Sequence, residues 1–110
     1  MNLSNYSEYE AIVISDAGTL GAASIVRYPA TSERYKLACL HRQSNIEAAE
    51  LVAGIIGLNF ICQQKSIAAS VLWVTDRESL VVQNFKNKSQ AGNLWQQLAA
   101  LRKSFKLAVQ

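Results

Sequence analysis

Hydrophobic residues along this chain change their spacing several times, and each change marks an element. Ala11-Ile-Val-Ile-Ser15 is an unbroken apolar, β-branched run of the kind that forms a strand buried on both faces. Asp-Ala-Gly-Thr-Leu-Gly, residues 16–21, is punctuated by glycine and predicts a turn into a second strand, Ala22 to Tyr28. From about Arg34 to Arg42, Tyr35, Leu37 and Cys39 alternate with Arg34, Lys36 and Ala38, the signature of a third strand. The three read as an antiparallel meander. From Ile46 to about Gln64 the spacing becomes helical, and Ser44 with Glu47 three residues later forms a capping box at its start. Ala69 to Thr75 is another buried strand, and Asp76 opens a short helix through about Phe85. Gln90 to Lys103 is a further helix with Leu94, Leu98 and Leu101 on one face, and Phe105, Leu107 and Val109 alternate with Lys106, Ala108 and Gln110 in a last strand.

This order, βββ-α-β-αα-β, predicts a mixed α/β sheet, because a strand reached through a helical crossover normally lies parallel to the strand it joins. With 110 residues, half of them hydrophobic, the chain fits a single domain over residues 1–110. Its apolar stretches are interrupted before the roughly 20 residues needed to span a bilayer, so no membrane insertion is expected. The N-terminus lacks a basic region followed by an apolar one, and a cytoplasmic location is expected. Cys39 and Cys62 lie in apolar-patterned segments without CxxC spacing, and the chain has one histidine, so two buried free thiols are expected rather than a zinc site.

Charge changes the picture only in its distribution. Residues 1–78 hold all eight acidic residues and six basic ones, a net of −2, whereas residues 79–110 hold five basic residues and no acid. On charge alone Lys86, Lys88, Arg102, Lys103 and Lys106 read as a solvated surface that could also attract phosphates.

The acids carry more. Placing strand 69–75 beside strand 11–15 makes both central and parallel, and sets Asp16 and Asp76 side by side at the carboxyl ends, where open α/β sheets bind ligands. Taken singly, Asp16 reads as a turn residue and Asp76 as a helix N-cap. Together they would put two anions at the end of a hydrophobic sheet, a cost that a shared divalent metal would remove. Glu50 lies one turn inside the helix, and its face neighbours at i+3, i+4 and i+7 are Ala53, Gly54 and Gly57. Glycine in a helix interior costs about 1 kcal/mol relative to alanine, so two of them need a packing reason. A close approach of helix to sheet is that reason, and it would press Glu50 toward the strand ends. The competing reading is a solvated glutamate on the helix rim. Glu47 is already accounted for by the capping box.

Taken in order, Ser15-Asp16-Ala17-Gly18, Ser44-Asn45-Ile46-Glu47-Ala48-Ala49-Glu50-Leu51, and Val74-Thr75-Asp76-Arg77-Glu78-Ser79-Leu80-Val81 resemble the ribonuclease H family, as does Asn93-Leu94-Trp95-Gln96-Gln97-Leu98 before the fifth strand. The resemblance covers nearly the whole chain and implies an α/β fold with a five-stranded mixed sheet in the order 3-2-1-4-5, flanked by helices. It further implies Mg²⁺ or Mn²⁺ held by Asp16, Glu50 and Asp76 as catalytic and metal residues, hydrolysis of the RNA strand of an RNA/DNA hybrid, and nucleic-acid contacts at Gly18, Asn45, Lys86 and Lys88. Asn45 would meet the minor groove, where 2′-hydroxyls distinguish RNA from DNA.

The family pattern is not complete. Ala17 stands where a glycine is usual, and the helix and Asp76 motifs each carry one extra residue before the apolar pattern resumes. The family continues past the fifth strand to a catalytic histidine and a last helix bearing a fourth carboxylate, whereas this chain stops at Gln110 with nothing acidic after Glu78. The expected fold therefore lacks the final helix. The apolar sheet surface this leaves near Trp95 and the last strand is expected to be covered by self-association, as a homodimer. His41 matches no family histidine and is expected to be structural. Two functions follow: a metal-dependent, incomplete endonuclease of the hybrid-cleaving type, or a non-catalytic module of the same fold that binds nucleic acid or a protein partner.

Overall fold

In a computed structural model, residues 8–42, 46–64, 70–75, 92–103 and 106–109 are described. They form strands β1 (Ala11–Ala17), β2 (Gly21–Tyr28) and β3 (Glu33–Leu40), helix α1 (Ile46–Cys62), strand β4 (Ser70–Thr75), helix α2 (Gly92–Arg102) and strand β5 (Lys106–Val109). The strands make one five-stranded sheet in the order β3-β2-β1-β4-β5. β1 and β2 pair antiparallel with Val13 opposite Val26, and β2 and β3 pair antiparallel with Ser24 opposite Leu37. β1 pairs with β4 in parallel, from Ala11 opposite Val71 to Ser15 opposite Thr75, and β4 pairs with β5 in parallel. The adjacency of the two central strands expected from the crossover is thus present. The short helix expected over 76–85 lies outside the described residues.

The main core lies between the sheet and the two helices. Ala11, Val13, Val26, Val71 and Trp73 face Leu51, Ile55, Leu58 and Ile61 of α1 and Leu98 and Leu101 of α2. Helix α1 buries most of its circumference from Ala48 to Ile61, leaving Val52, Ile56, Asn59 and Phe60 as a less buried stripe, because it is covered by the sheet on one side and by α2 on another. Its approach is set by two glycines. A Cβ at Gly54 would overlap the indole ring of Trp73, and one at Gly57 would overlap Ser24 Oγ and Val13 Cγ1. Both replace a methyl group that the sheet occupies, which is the packing reason their helical cost requires. Ile12 and Leu72 form a smaller cluster on the opposite face. No helix among the described residues is long and apolar enough to cross a membrane.

Several expectations at the edges need correction. β1 does not stop at Ser15. Asp16 and Ala17 pair with Ala23 and Ala22, because the meander carries the ladder through them, and the turn is confined to residues 18–20. The cysteines are free, yet Cys39 is exposed and Cys62 half-buried. Cys39 lies near the end of the edge strand, away from the part of the sheet that α1 covers, so its alternating pattern has no matching cover there. The exposed large apolar side chains among the described residues are Leu20 in the β1–β2 turn, Leu40 opposite Gly21 beside it, and Ile46 at the start of α1, whereas Leu107 and Val109 of β5 are half-buried.

At the far edge Tyr28 and Tyr35 pack edge to face with ring centroids 6.1 Å apart, and Tyr35 packs on Phe60 of α1. The Tyr35 hydroxyl donates to the Glu33 carboxylate. Burial raises the Tyr28 pKa and the bond to Glu33 raises that of Tyr35.

Two outcomes follow from this packing. Gly54→Ala should lower stability by about 1–3 kcal/mol in urea unfolding, since overpacking against a buried indole outweighs the helical gain. Gly18→Ala, where an added Cβ meets nothing, should stay within about 0.5 kcal/mol; equal effects would contradict the assignment. Because both tyrosines are raised in the folded state, their contribution is complete below the ordinary tyrosine pKa and is lost as pH rises through the folded values. Stability should therefore decline above about pH 10, and the decline should be smaller in a Tyr28→Phe, Tyr35→Phe variant followed by circular dichroism.

Candidate functional site

The parallel register fixes where the first candidate acid lies. Ser15 is opposite Thr75, so Asp16 is the next residue beyond the last described pair of β1 and β4. It is exposed at the carboxyl end of the sheet, and its Oδ1 accepts the Ala17 backbone N–H at 2.9 Å. Asp76, next in sequence after Thr75, lies outside the described residues, as do Asn45, Lys86 and Lys88.

Below Asp16 the strand end is pinned from within. The Trp73 indole N–H donates to Ser15 Oγ at 2.7 Å in a buried bond, which joins β4 to β1 one residue before the aspartate. The same indole ring fills the space left by Gly54. Passing along α1 from Gly57 to Gly54, the surface beneath the helix changes from Val13 to this indole, whose N–H reaches Ser15. One further turn in that direction, about 6 Å, is Glu50. Glu50 is 4% exposed, so it is not the solvated rim residue of the competing reading. A carboxylate carries such burial only when charge or hydrogen bonds compensate it.

Glu47, set aside on sequence because a capping box explained it, has its Oε1 buried without a hydrogen-bond partner among the described residues. Its i+3 spacing from Glu50 was the available sign that the two acids share a helix face. The Trp73–Ser15 bond was also missed, although a tryptophan in a buried strand needs an acceptor for its N–H.

Beyond Asp16 the chain turns sharply. Gly18 N–H donates to Gly21 O at 2.8 Å, and His41 N–H donates to Leu20 O at 2.9 Å. His41 Nε2 lies 2.7 Å from Gly18 O, and since a carbonyl only accepts, Nε2 carries the proton. His41 follows β3 rather than lying within it, and it clamps the turn after Asp16, a structural role as expected. Beside the turn an open groove of about 580 Å³ is lined by Asp16, Leu40 and small residues that include Gly18, Gly21, Ala23 and Ala38.

Asp16 and Glu50 both carry hard oxygen atoms of the type Mg²⁺ and Mn²⁺ take, Asp16 exposed at the strand end and Glu50 buried on α1. Among the described residues no group of three His, Cys, Asp or Glu side chains is close enough to hold a metal.

Comparison with solved structures gives this architecture its class. The chain matches the N-terminal RNase H domain of rv2228c from Mycobacterium tuberculosis, solved as a fusion with maltose-binding protein, at a TM-score of 0.77 and 18% identity, covering 92% of this chain and 79% of that one. It matches LC11-RNase H1, solved in complex with an RNA/DNA hybrid, at 0.75 and 16% identity over 91% and 83% of the two chains. RNase H1 from the halophilic archaeon Halobacterium salinarum NRC-1 gives 0.68 and 10% identity over 93% and 83%. No family model matches the chain, and no curated protein matches it in sequence. The protein thus has the ribonuclease H-like fold.

Ser15→Ala removes the acceptor of the Trp73 N–H and leaves a buried donor unsatisfied. It should cost about 1–3 kcal/mol and shift the tryptophan fluorescence of the folded protein. Unchanged stability and emission would show that the bond does not pin the strand ends.

Proposed function

We propose that the chain is a metal-dependent nuclease that hydrolyses the RNA strand of RNA/DNA hybrids, with Asp16, Glu50 and Asp76 as its metal-holding residues. The observation that carries the reading is the burial of Glu50 on a helix held against the sheet by Gly54 and Gly57, one turn from the indole that reaches the carboxyl end of β1. A glutamate that merely solubilised α1 would not be buried there. The parallel pairing of β1 with β4 supports the inclusion of Asp76, since Thr75 is level with Ser15. The fold shared with an RNase H1 that was solved on a hybrid supports the substrate class.

Asp16 and Glu50 fit a hard divalent ion by the chemistry of their oxygens and by the burial of one of them. Bound Mg²⁺ or Mn²⁺ would supply activation of water and neutralisation of charge on the leaving oxygen. The chain's own residues hold and orient. Ser15 and Trp73 fix the strand end on which Asp16 stands, and His41 holds the following turn so that Gly18 presents backbone rather than side chain to a polynucleotide. Asn45, Lys86 and Lys88 complete the proposed contacts with the hybrid.

The test is cleavage of matched RNA/DNA, RNA/RNA and DNA/DNA duplexes with Mg²⁺ or Mn²⁺. The parent should cut the hybrid alone, and Asp16→Asn and Glu50→Gln should each lose about two orders of magnitude or more in rate with unchanged circular dichroism. Hybrid binding without cleavage by the parent would instead support a non-catalytic module that binds nucleic acid, and neither binding nor cleavage would overturn the nuclease and leave a module that binds a protein partner.

A further inference from the structure

The sheet face turned away from α1 carries a second concentration of charge. Val13 and Ser24 lie beneath α1, so the residues alternating with them project from the opposite face. The registers sort that face into rows: Ile12, Arg27 and Arg34; then Ile14, Ile25 and Lys36; then Asp16, Ala23 and Ala38 at the strand ends. Arg27 and Arg34 stand directly opposite each other, with Lys36 two residues along β3. Like charges in that relation destabilise an antiparallel pair.

Here the apolar floor sharpens the cost, since Ile12 is 1% exposed and Ile14 and Ile25 are half-buried. Glu33, the acid of this hairpin, alternates with Arg34 along β3, and its carboxylate is engaged by the Tyr35 hydroxyl. Among the described residues, the hydrogen bonds at this end of the sheet engage Tyr28, Thr31, Glu33 and Tyr35 and none of the three cations. A cleft of about 380 Å³ opens there, and Arg27, Ser32, Glu33 and Arg34 line it, two cations against one acid whose carboxylate already accepts from Tyr35.

We propose that this cleft is a phosphate subsite in which Arg27 and Arg34, backed by Lys36, hold the backbone of a polynucleotide whose reacting part lies at Asp16. The inference rests on the nucleic-acid reading above and extends it to a second point of contact. By strand spacing the three cations lie about 12–16 Å from Asp16 on the same face, a distance of some four or five base pairs at about 3.4 Å each. Between them the surface is formed by Ala23 and Ala38, both exposed, which leaves the groove open to a bulky backbone. An acidic peptide would satisfy the arginines equally, but nothing in its chemistry would use a path that ends at Asp16. Arginine suits the proposed role because its planar fork pairs with phosphate through two hydrogen bonds.

The experiment is fluorescence anisotropy of a labelled hybrid about two helical turns long, bound to the full chain in EDTA across a series of salt concentrations. The parent defines a slope of log affinity against log salt, and R27Q/R34Q should make it shallower by about two, one for each lost phosphate contact. R27K/R34K should restore most of the slope, and circular dichroism should be the same for all three. A parent-like slope in R27Q/R34Q overturns the subsite and leaves the nuclease reading standing. A parent that binds no hybrid overturns both. Tighter binding of labelled polyglutamate than of hybrid by the parent, lost in R27Q/R34Q, would assign the cleft to an acidic protein partner and overturn the proposal.

Discussion

The close approach of α1 to the sheet is the constraint on which the rest of this structure depends. Two glycines remove the methyl groups that would hold the helix off, and the vacated space is filled by the Trp73 indole, Val13 and Ser24. The contact is intolerant because Trp73 is fully buried and its N–H is committed to Ser15. Interiors packed to crystal density transmit such fits rather than absorbing them. The position of the helix, the pairing of the two central strands and the burial of Glu50 are therefore linked.

That linkage places a carboxyl side chain in a nearly dry position. An ionised carboxylate removed from water is costly, and in its first turns α1 carries Glu50, nearly fully buried, and Glu47, half-buried. Asp16 balances it differently: it is exposed, on a strand whose final residues are held by pairing with β2 and whose following turn is clamped by His41. One acid is fixed by packing and the other by backbone. The same sheet presents cations at its opposite end, so the face away from α1 runs from positive at the β2–β3 hairpin to negative at the strand termini.

Much of this was legible in the residues. Alternation and β-branched runs mark the five strands, and the helical crossover from strand to strand predicts the parallel pairing of β1 with β4. The two glycines at i+4 and i+7 from Glu50 signalled close packing because their helical cost had no other purpose. What failed to show was context. Nothing local in Cys39 reveals that the cover over β3 ends before it, and Asp16 looked like a turn residue because its pairing with Ala23 is made across the meander. The His41 clamp spans 23 residues, and the cationic row is assembled from two strands whose sequences each look like ordinary surface alternation. Asp76, Asn45, Lys86 and Lys88 rest on sequence and resemblance.

The central proposal is that Asp16, at the strand end on the face away from α1, and Glu50, on α1, reach one metal ion around the carboxyl end of the sheet. Paramagnetic broadening of backbone amide signals by substoichiometric Mn²⁺ tests it without relying on turnover. The account predicts that the amides of Asp16, Ala17, Glu50 and Thr75 broaden together while those of Tyr28 to Arg34 stay sharp, and that Glu50→Gln weakens the effect at Asp16. Broadening at Asp16 that ignores Glu50, or none at any of these residues, would contradict it.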